Sequence, residues 1–184
     1  MNDLFLKSFN TIFYKHFITL DLLKNDYILK VDSIQYFDLV FSFLKDHENC
    51  LFKVLIDIFV IDYLGCDKRF VLVYCLLSLK YNTRIYIKLQ INELASIPSL
   101  TNMYKSACWM EREIWDMNGI FFQSHPDLRR LLTDYGFEGH PLKKDFPLTG
   151  FVEVRYDDSQ KRVVSESIEL AQDYRVFSFK SPWE

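Results

Sequence analysis

This 184-residue sequence lacks the residue patterns that mark several common kinds of site. Its four cysteines, Cys50, Cys66, Cys75 and Cys108, form no CxxC pair and match no usual spacing of zinc or iron–sulfur ligands. Phosphate-binding loops of the GxGxxG and GxxxxGK[ST] types are missing, as is the GxSxG motif of serine nucleophiles. We therefore predict buried free thiols in a reduced compartment, and no metal, cluster or nucleotide site.

Long apolar runs and blocks of basic charge are missing as well. The longest apolar stretch, CLFKVLIDIFVIDYLG, is interrupted by Lys53, Asp57 and Asp62, whereas a membrane span needs roughly 18 apolar residues. The N-terminal stretch has no uninterrupted apolar region and no arginine, so we expect neither a signal peptide nor a transit peptide. The formal net charge is −3 without a polybasic block, which argues against a nucleic-acid partner.

Hydrophobic residues make up 49% of the chain, enough for a folded core. Residues 33–47 have apolar side chains at helical spacing with Ser33 as a plausible N-cap, and residues 83–91 alternate as a half-buried strand does. Further strands are predicted over 27–31, 50–63 and 69–80. We therefore predict an α+β fold, a mostly antiparallel sheet with helices packed on it, followed by an extended C-terminal arm.

Seven of the ten glycines and prolines lie between residues 119 and 150. This change in composition predicts a core domain over 1–119, which ends in a helix over 102–119 with Gly119 as its left-handed stop. Residues 120–184 are predicted to hold a charged helix/loop segment, a β-hairpin over 151–166 and a tail. The short helix is expected to begin at Ser124-His-Pro-Asp127 and to end at Gly136.

Titratable side chains are concentrated between Glu111 and Asp145. Glu111 and Glu113 point about 160° apart on an ideal helix, so they cannot share a substrate, whereas Arg112 and Asp116 are spaced to pair. An ion-pair network is therefore the favoured interpretation of these acids. The spacing of His125 and His140 does not suit metal binding. The alternative is a free-standing soluble acid–base hydrolase that uses the cluster Glu111/Glu113/His125/His140.

The same region carries a resemblance to a known family. Glu111-Arg-Glu113, then Asp116-Met-Asn-Gly119, then HPDLRRLLTDYGFEGHPLKKDFPLTGFVEVRYDD resemble the thirty-kilodalton subunit of respiratory complex I, the proton-pumping NADH:ubiquinone oxidoreductase. Asn118 and Ser167 depart from the family pattern, which usually has an aromatic residue and a proline there. The matching residues expected at interfaces or in folding are Glu111, Arg112, Glu113, Asp116, His125, Pro126, Asp127, Arg129, Arg130, Asp134, Tyr135, His140, Lys143, Lys144 and Asp145.

The resemblance implies a non-catalytic core subunit of the peripheral arm that scaffolds the quinone-reducing module. It implies that the chain binds no cofactor, since FMN and the iron–sulfur clusters lie in other subunits. The implied partners are the forty-nine-kilodalton subunit, wrapped by the C-terminal arm, and neighbouring iron–sulfur subunits. A mitochondrially encoded subunit on the matrix side of the inner membrane fits the AT-rich composition, and the cytoplasmic side of a bacterial plasma membrane is the alternative.

Overall fold

The computed structural model describes residues 18–23, 26–31 and 33–183, and the chain divides into two compact units, Met1–Phe146 and Pro147–Glu184. This division falls after residue 146, not at the change in composition near residue 119. The described residues contain the following elements: β1 Ile18–Leu23, β2 Asp26–Val31, a 3-10 turn Ile34–Tyr36, α1 Phe37–Asp46, β3 Val54–Asp62, β4 Phe70–Ser78, β5 Thr83–Ile91, β6 Ser96–Pro98, α2 Ala107–Asn118, β7 Phe121–Gln123, β8 Val152–Asp157 and β9 Arg162–Ser167.

Five strands of unit 1 form one sheet in the order β1-β2-β5-β4-β3. The pairs β1–β2, β3–β4 and β4–β5 are antiparallel, whereas β2 and β5 are parallel. The alternation in β5 places Ile85, Ile87, Leu89 and Ile91 in the core, with the residues between them half-buried or exposed. The prediction of a mostly antiparallel sheet with packed helices is thereby confirmed.

Both helices contribute to the hydrophobic core of this sheet. The rings of Phe37 and Phe41 on α1 lie with their centroids 5.5 and 5.1 Å from that of Tyr74 on β4. Ser33 accepts the N–H of Gln35, as its N-cap role requires. Helix α2 packs against β3 and buries Ala107 and Ile114. The core therefore lies between the sheet and the two helices.

Helix α2 is held between two short strands that are neighbours in space but not in sequence. β6 precedes the helix, β7 follows it, and the two pair in parallel with Ile97 opposite Phe122. Gly119 ends the helix with φ of 76°, as the sequence predicts. The helix begins only at Ala107, because residues 101–106 form turns. This frame fixes the face of α2 that carries the charged side chains.

The predicted helix after Ser124 is wrong. Residues 124–135 contain turns and bends but no helix, and Ser124 has a positive φ of 61°. The backbone N–H groups that a helix would pair internally are instead bound by the carboxylate of Asp116, which lies 15 to 17 residues earlier. Side chains of α2 thus replace helical hydrogen bonds in this segment.

Unit 2 is built around the predicted hairpin, which is confirmed. β8 and β9 pair antiparallel with Val152 opposite Ser167 and Asp157 opposite Arg162. Residues 168–183 form no helix or strand, and no side chain among the described residues 147–183 is buried. This unit therefore has no hydrophobic core within its described part.

The four cysteines are free, in agreement with the prediction. Cys50 and Cys75 are buried, whereas Cys108 is half-buried and Cys66 is exposed. The expectation that all four are buried is wrong for Cys66, because it lies in the turn between β3 and β4. Within the described ranges, no helix is long and apolar enough to cross a membrane.

Candidate functional site: the anchored segment 124–146

Residues 124–146, here called the anchored segment, are attached to α2 through the carboxylate of Asp116. One oxygen accepts the N–H groups of Leu131, Leu132 and Thr133 at 3.0, 2.7 and 2.9 Å. The other accepts the Thr133 hydroxyl at 2.7 Å and Arg130 Nη1 at 3.1 Å. Burial raises the pKa of Asp116, but these donors outweigh it and lower the pKa to about 2. A carboxylate held ionised by five donors anchors the chain and is unsuited to proton transfer.

Arg112 supplies the complementary donors from the same helix. Its Nε donates to the carbonyl oxygen of Arg129 at 3.1 Å, and its Nη2 donates to that of Arg130 at 3.3 Å. Its guanidinium carbon lies 5.8 Å from the ring centroid of Trp109. The predicted pairing of Arg112 with Asp116 is therefore wrong, because each side chain satisfies the backbone of the anchored segment instead.

His140 attaches the anchored segment to the end of α2. Its Nδ1 lies 2.9 Å from the backbone carbonyl oxygen of Asp116, and its ring centroid lies 5.6 Å from that of Trp115. A Cβ on Gly119 would lie 2.6 Å from Cδ2 of His140. Glycine is thus needed twice at this position, for its positive φ and for the close approach of the imidazole.

A second cluster, centred on Arg69, holds the end of the anchored segment. Arg69 makes two hydrogen bonds to Asp62, at 2.8 and 2.9 Å, and two to Asp145, at 2.9 and 3.1 Å. Glu93 adds a fifth contact at 3.2 Å. The hydrogen bond from Arg69 is the main cause that lowers the pKa of Asp62. This guanidinium therefore joins the ends of β3 and β5 to residue 145.

Two lysines complete the Arg69 cluster. Lys143 Nζ lies 2.7 Å from a carboxylate oxygen of Glu93, and the backbone N–H of Lys144 donates to Asp62 at 2.9 Å. The Lys143–Lys144–Asp145 sequence is thus bound through each of its three residues. Its role in unit 1 is to fix the chain just before unit 2 begins at Pro147.

Glu111 and His125 form a buried pair between α2 and the start of the anchored segment. Their side chains are 0% exposed, and His125 Nε2 lies 3.9 Å from a Glu111 oxygen. Glu111 accepts the Ser99 hydroxyl at 2.6 Å and the Leu100 N–H at 2.7 Å, while His125 Nε2 lies 3.1 Å from the carbonyl oxygen of Cys108. Burial raises the pKa of Glu111 to about 7. The favoured ion-pair network does not describe Glu111, whose close partners are a hydroxyl and a backbone amide.

The remaining candidate residues lie at the surface. Asp127 pairs with Arg129 at 2.9 Å, although both side chains are more than half exposed. The other exposed members of the set are Glu113, Pro126, Asp134 and Tyr135. Their expected place in interfaces stays a prediction.

The Arg69 cluster was missed at the level of sequence because its partners lie 7, 24 and 76 residues away. One signal was present. Asp62 ends β3, Arg69 precedes β4 and Glu93 follows β5, and antiparallel pairing brings these three positions to one end of the sheet. Ser99 and Thr133 carried no comparable signal, since they act through single hydroxyl groups.

This geometry gives little support to chemistry at the charged cluster. Glu111 and His125 are fully covered, and Glu113 is exposed on the same helix. In the part of the chain that the structure describes, no group of three or more histidine, cysteine or acidic side chains is placed to hold a metal ion. The arrangement can hold a segment rigidly, which is the property expected of a structural or interaction element.

Comparison with known proteins agrees with this interpretation. Residues 29–152 match the family described as the 30 kDa subunit of respiratory-chain NADH dehydrogenase. The chain belongs to this family. Subunit 9 of NADH-ubiquinone oxidoreductase from Reclinomonas americana is 58% identical over 141 residues, which cover 77% of this chain and 69% of the relative. The C-type subunit of NADH-quinone oxidoreductase from Paramagnetospirillum magneticum is 57% identical over 145 residues, which cover 79% and 73%.

Solved structures share the fold of this member of the respiratory-chain NADH dehydrogenase family. A trypsin-resistant fragment of Nqo5, residues 1–134, has 25% sequence identity and a TM-score of 0.57, covering 67% of this chain and 98% of the fragment. A chain of the membrane-bound sulfane sulfur reductase, an archaeal respiratory membrane complex, has 20% identity and a TM-score of 0.65, over 77% and 85%. The latter likeness concerns the fold alone. The suspected family and fold class are thereby confirmed.

Proposed function

We propose that this chain is a non-catalytic core subunit of the peripheral arm of the proton-pumping NADH:ubiquinone oxidoreductase. It supports electron transfer from NADH to ubiquinone by scaffolding the quinone-reducing module. Membership of the family supports the complex, and the names of the relatives, each of them one subunit of this type of enzyme, support a role as one subunit among several. No comparison favours the alternative of a free-standing hydrolase.

The observation that carries the scaffolding role is the exposed apolar surface of unit 2. The side chains concerned are Leu148, Phe151, Val152, Val154, Tyr156, Val163, Leu170, Tyr174, Val176, Phe177, Phe179 and Trp183. A lone hairpin is marginal in water, and a piece of roughly 40 residues rarely supports its own core. Ordering such a piece also costs about 1–2 kcal/mol per residue, so a neighbouring surface must bury these side chains.

The forty-nine-kilodalton subunit is the proposed neighbour of unit 2, and adjacent iron–sulfur subunits are further partners. We propose that this chain itself holds no redox cofactor, and that FMN and the iron–sulfur clusters lie in other subunits. The proposed location is the matrix side of the mitochondrial inner membrane, where the chain is a peripheral subunit. The corresponding site for a bacterial chain is the cytoplasmic side of the plasma membrane.

Removal of unit 2 tests this proposal. The full chain and a chain that ends at Phe146 are expressed with the same affinity tag, and native gels with mass spectrometry identify the co-purifying subunits. The full chain is expected to enter the complex. The shortened chain is expected to keep its unfolding transition, because the Arg69 cluster remains intact, and to fail in assembly.

Hydrogen exchange on the isolated full chain provides the control. Weak protection of residues 147–183 and strong protection of β4 and β5 are expected if unit 2 is ordered by neighbours. Normal assembly of the shortened chain would contradict the scaffolding role of unit 2. Strong protection throughout 147–183 without a partner would contradict its dependence on neighbours.

A further inference from the structure

A groove of about 750 Å³ lies in unit 1 between α2 and the anchored segment. Its lining includes Trp109, Arg112, Arg129, Arg130, Leu132 and Tyr135. The anchoring contacts use only part of these side chains. The groove is therefore a surface whose exposed portion the fold itself leaves unexplained.

The walls of the groove are fixed before any partner arrives. Asp116 binds the backbone of residues 131–133 from behind, and Arg112 binds the carbonyl groups of residues 129 and 130. A surface held in this way loses little conformational entropy on binding. Rigidity of this kind favours a docking site over a loop that merely crosses the surface.

Large apolar side chains stand on this rigid frame. Trp109 is 66% exposed, Leu132 is 58% exposed, and Tyr135 is fully exposed. Tryptophan, tyrosine and arginine are the residue types that contribute most often to binding hot spots at protein interfaces. Their convergence on one groove points to a protein segment with an apolar side chain of its own.

The charge of the lining determines the kind of segment. Three guanidinium groups line the groove, on Arg112, Arg129 and Arg130, against the single carboxylate of Asp134. The carboxylate of Asp116 has no exposed surface, so it does not compete for a ligand. Arginine binds carboxylates in a bidentate manner. A nucleic acid fits less well, because the chain carries a net charge of −3 and needs phosphate contacts far beyond one groove.

We propose that this groove docks an acidic segment of another subunit, with its carboxylates on Arg129 and Arg130 and an apolar side chain between Trp109 and Tyr135. The inference rests on the proposed function, since it assumes a chain that works within an assembly. It adds a contact in unit 1 that is separate from those of unit 2.

Photo-cross-linking within the assembled complex identifies the occupant. p-Benzoylphenylalanine replaces Leu132 in the full chain, and Leu94, which is 97% exposed and outside the groove, is the control position. The probe at residue 132 is expected to cross-link to a segment of another subunit in which aspartate and glutamate outnumber lysine and arginine. Cross-links to a basic segment, to lipid, to nucleic acid or to a second copy of this chain would overturn the proposal, as would no cross-link.

Charge reversal measures the contribution of the arginines. Arg129→Glu is expected to lower the cross-link yield at residue 132 about tenfold, the effect of losing one interfacial charge pair. Arg84→Glu, at an exposed arginine outside the groove, is expected to leave the yield unchanged. Thermal unfolding of both variants should match the parent, since the Arg129–Asp127 pair is exposed. An unchanged yield for Arg129→Glu would refute the proposal.

The two proposals fail in distinguishable ways. If the unmodified full chain does not co-purify with respiratory NADH dehydrogenase subunits, the proposed function fails. If the chain assembles but the probe at residue 132 meets no acidic segment, only the groove inference fails.

Discussion

Replacement of Arg69 by methionine tests whether the Arg69 cluster is a main source of stability in unit 1. Methionine keeps much of the side-chain volume and removes five hydrogen bonds to three carboxylates. The side chain of Asp62 is 4% exposed and would retain the N–H of Lys144, whereas Glu93 and Asp145 are 43% and 51% exposed and would regain water.

These exposures set the magnitude of the loss. Removal of one partner from a buried ion pair typically costs about 3–5 kcal/mol, so a cluster with one buried carboxylate should lie near the lower limit, about 3 kcal/mol. Urea unfolding of the full chain at pH 7, followed by circular dichroism, measures this free energy. Arg129→Met is the matched control, because its pair with Asp127 is exposed and should contribute less than about 1 kcal/mol.

The pH dependence supplies a second readout. The pKa of Asp62 is lowered in the folded chain, so its contribution is present above the unfolded pKa of about 3.9 and is lost as pH falls through the folded pKa. Arg69→Met should therefore weaken the loss of stability on acidification below about pH 4. A loss at pH 7 no larger than that of Arg129→Met would refute the reasoning.

Three further predictions concern α2. Asp116→Asn should cost about 3 kcal/mol in urea unfolding and expose residues 124–142 to trypsin, because a charged acceptor of five donors is lost; unchanged trypsin resistance would contradict this. The raised pKa of Glu111, about 7, means that stability from its neutral form is complete below about pH 4.3 and is lost as pH rises through 7. Glu111→Gln should flatten that dependence in unfolding at pH 5 to 8, and an unchanged slope would contradict it. Gly119→Ala should destabilise the chain more than Gly136→Ala does, because both have positive φ but only residue 119 contacts His140, and equal losses in thermal unfolding would exclude the steric cause.

Sequence patterns predicted the elements that satisfy their own hydrogen bonds. The alternation of residues 83–91 predicted β5, and the turn after Asp157 predicted the hairpin of unit 2. Gly119 was assigned as the helix stop because a left-handed residue favours glycine. In each case the deciding interactions lie within a few residues or between adjacent strands, where periodicity and turn preferences report on them.

The predicted helix after Ser124 failed for the opposite reason. Its sequence has an N-cap, a proline and apolar spacing, which are all local signals. The deciding interactions come from Asp116 and Arg112 on another element, and six hydrogen bonds from these two side chains reach the backbone or side chains of residues 129–133 in addition to the ion pair with Arg130. Local propensity is weak compared with such contacts. The Arg69 cluster escaped prediction similarly, since residue 145 lies 76 positions from its partner.

The same contacts explain why a chain so rich in titratable groups is suited to assembly. Asp116 and Arg69 are occupied by the anchored segment, and Glu111 and His125 are covered. These groups are therefore unavailable for reaction, but they fix the backbone from residue 129 to residue 145. A fixed backbone holds the groove in unit 1 open and determines where the chain leaves unit 1. A scaffold needs both properties, because binding surfaces that are ordered in advance bind partners with less loss of entropy.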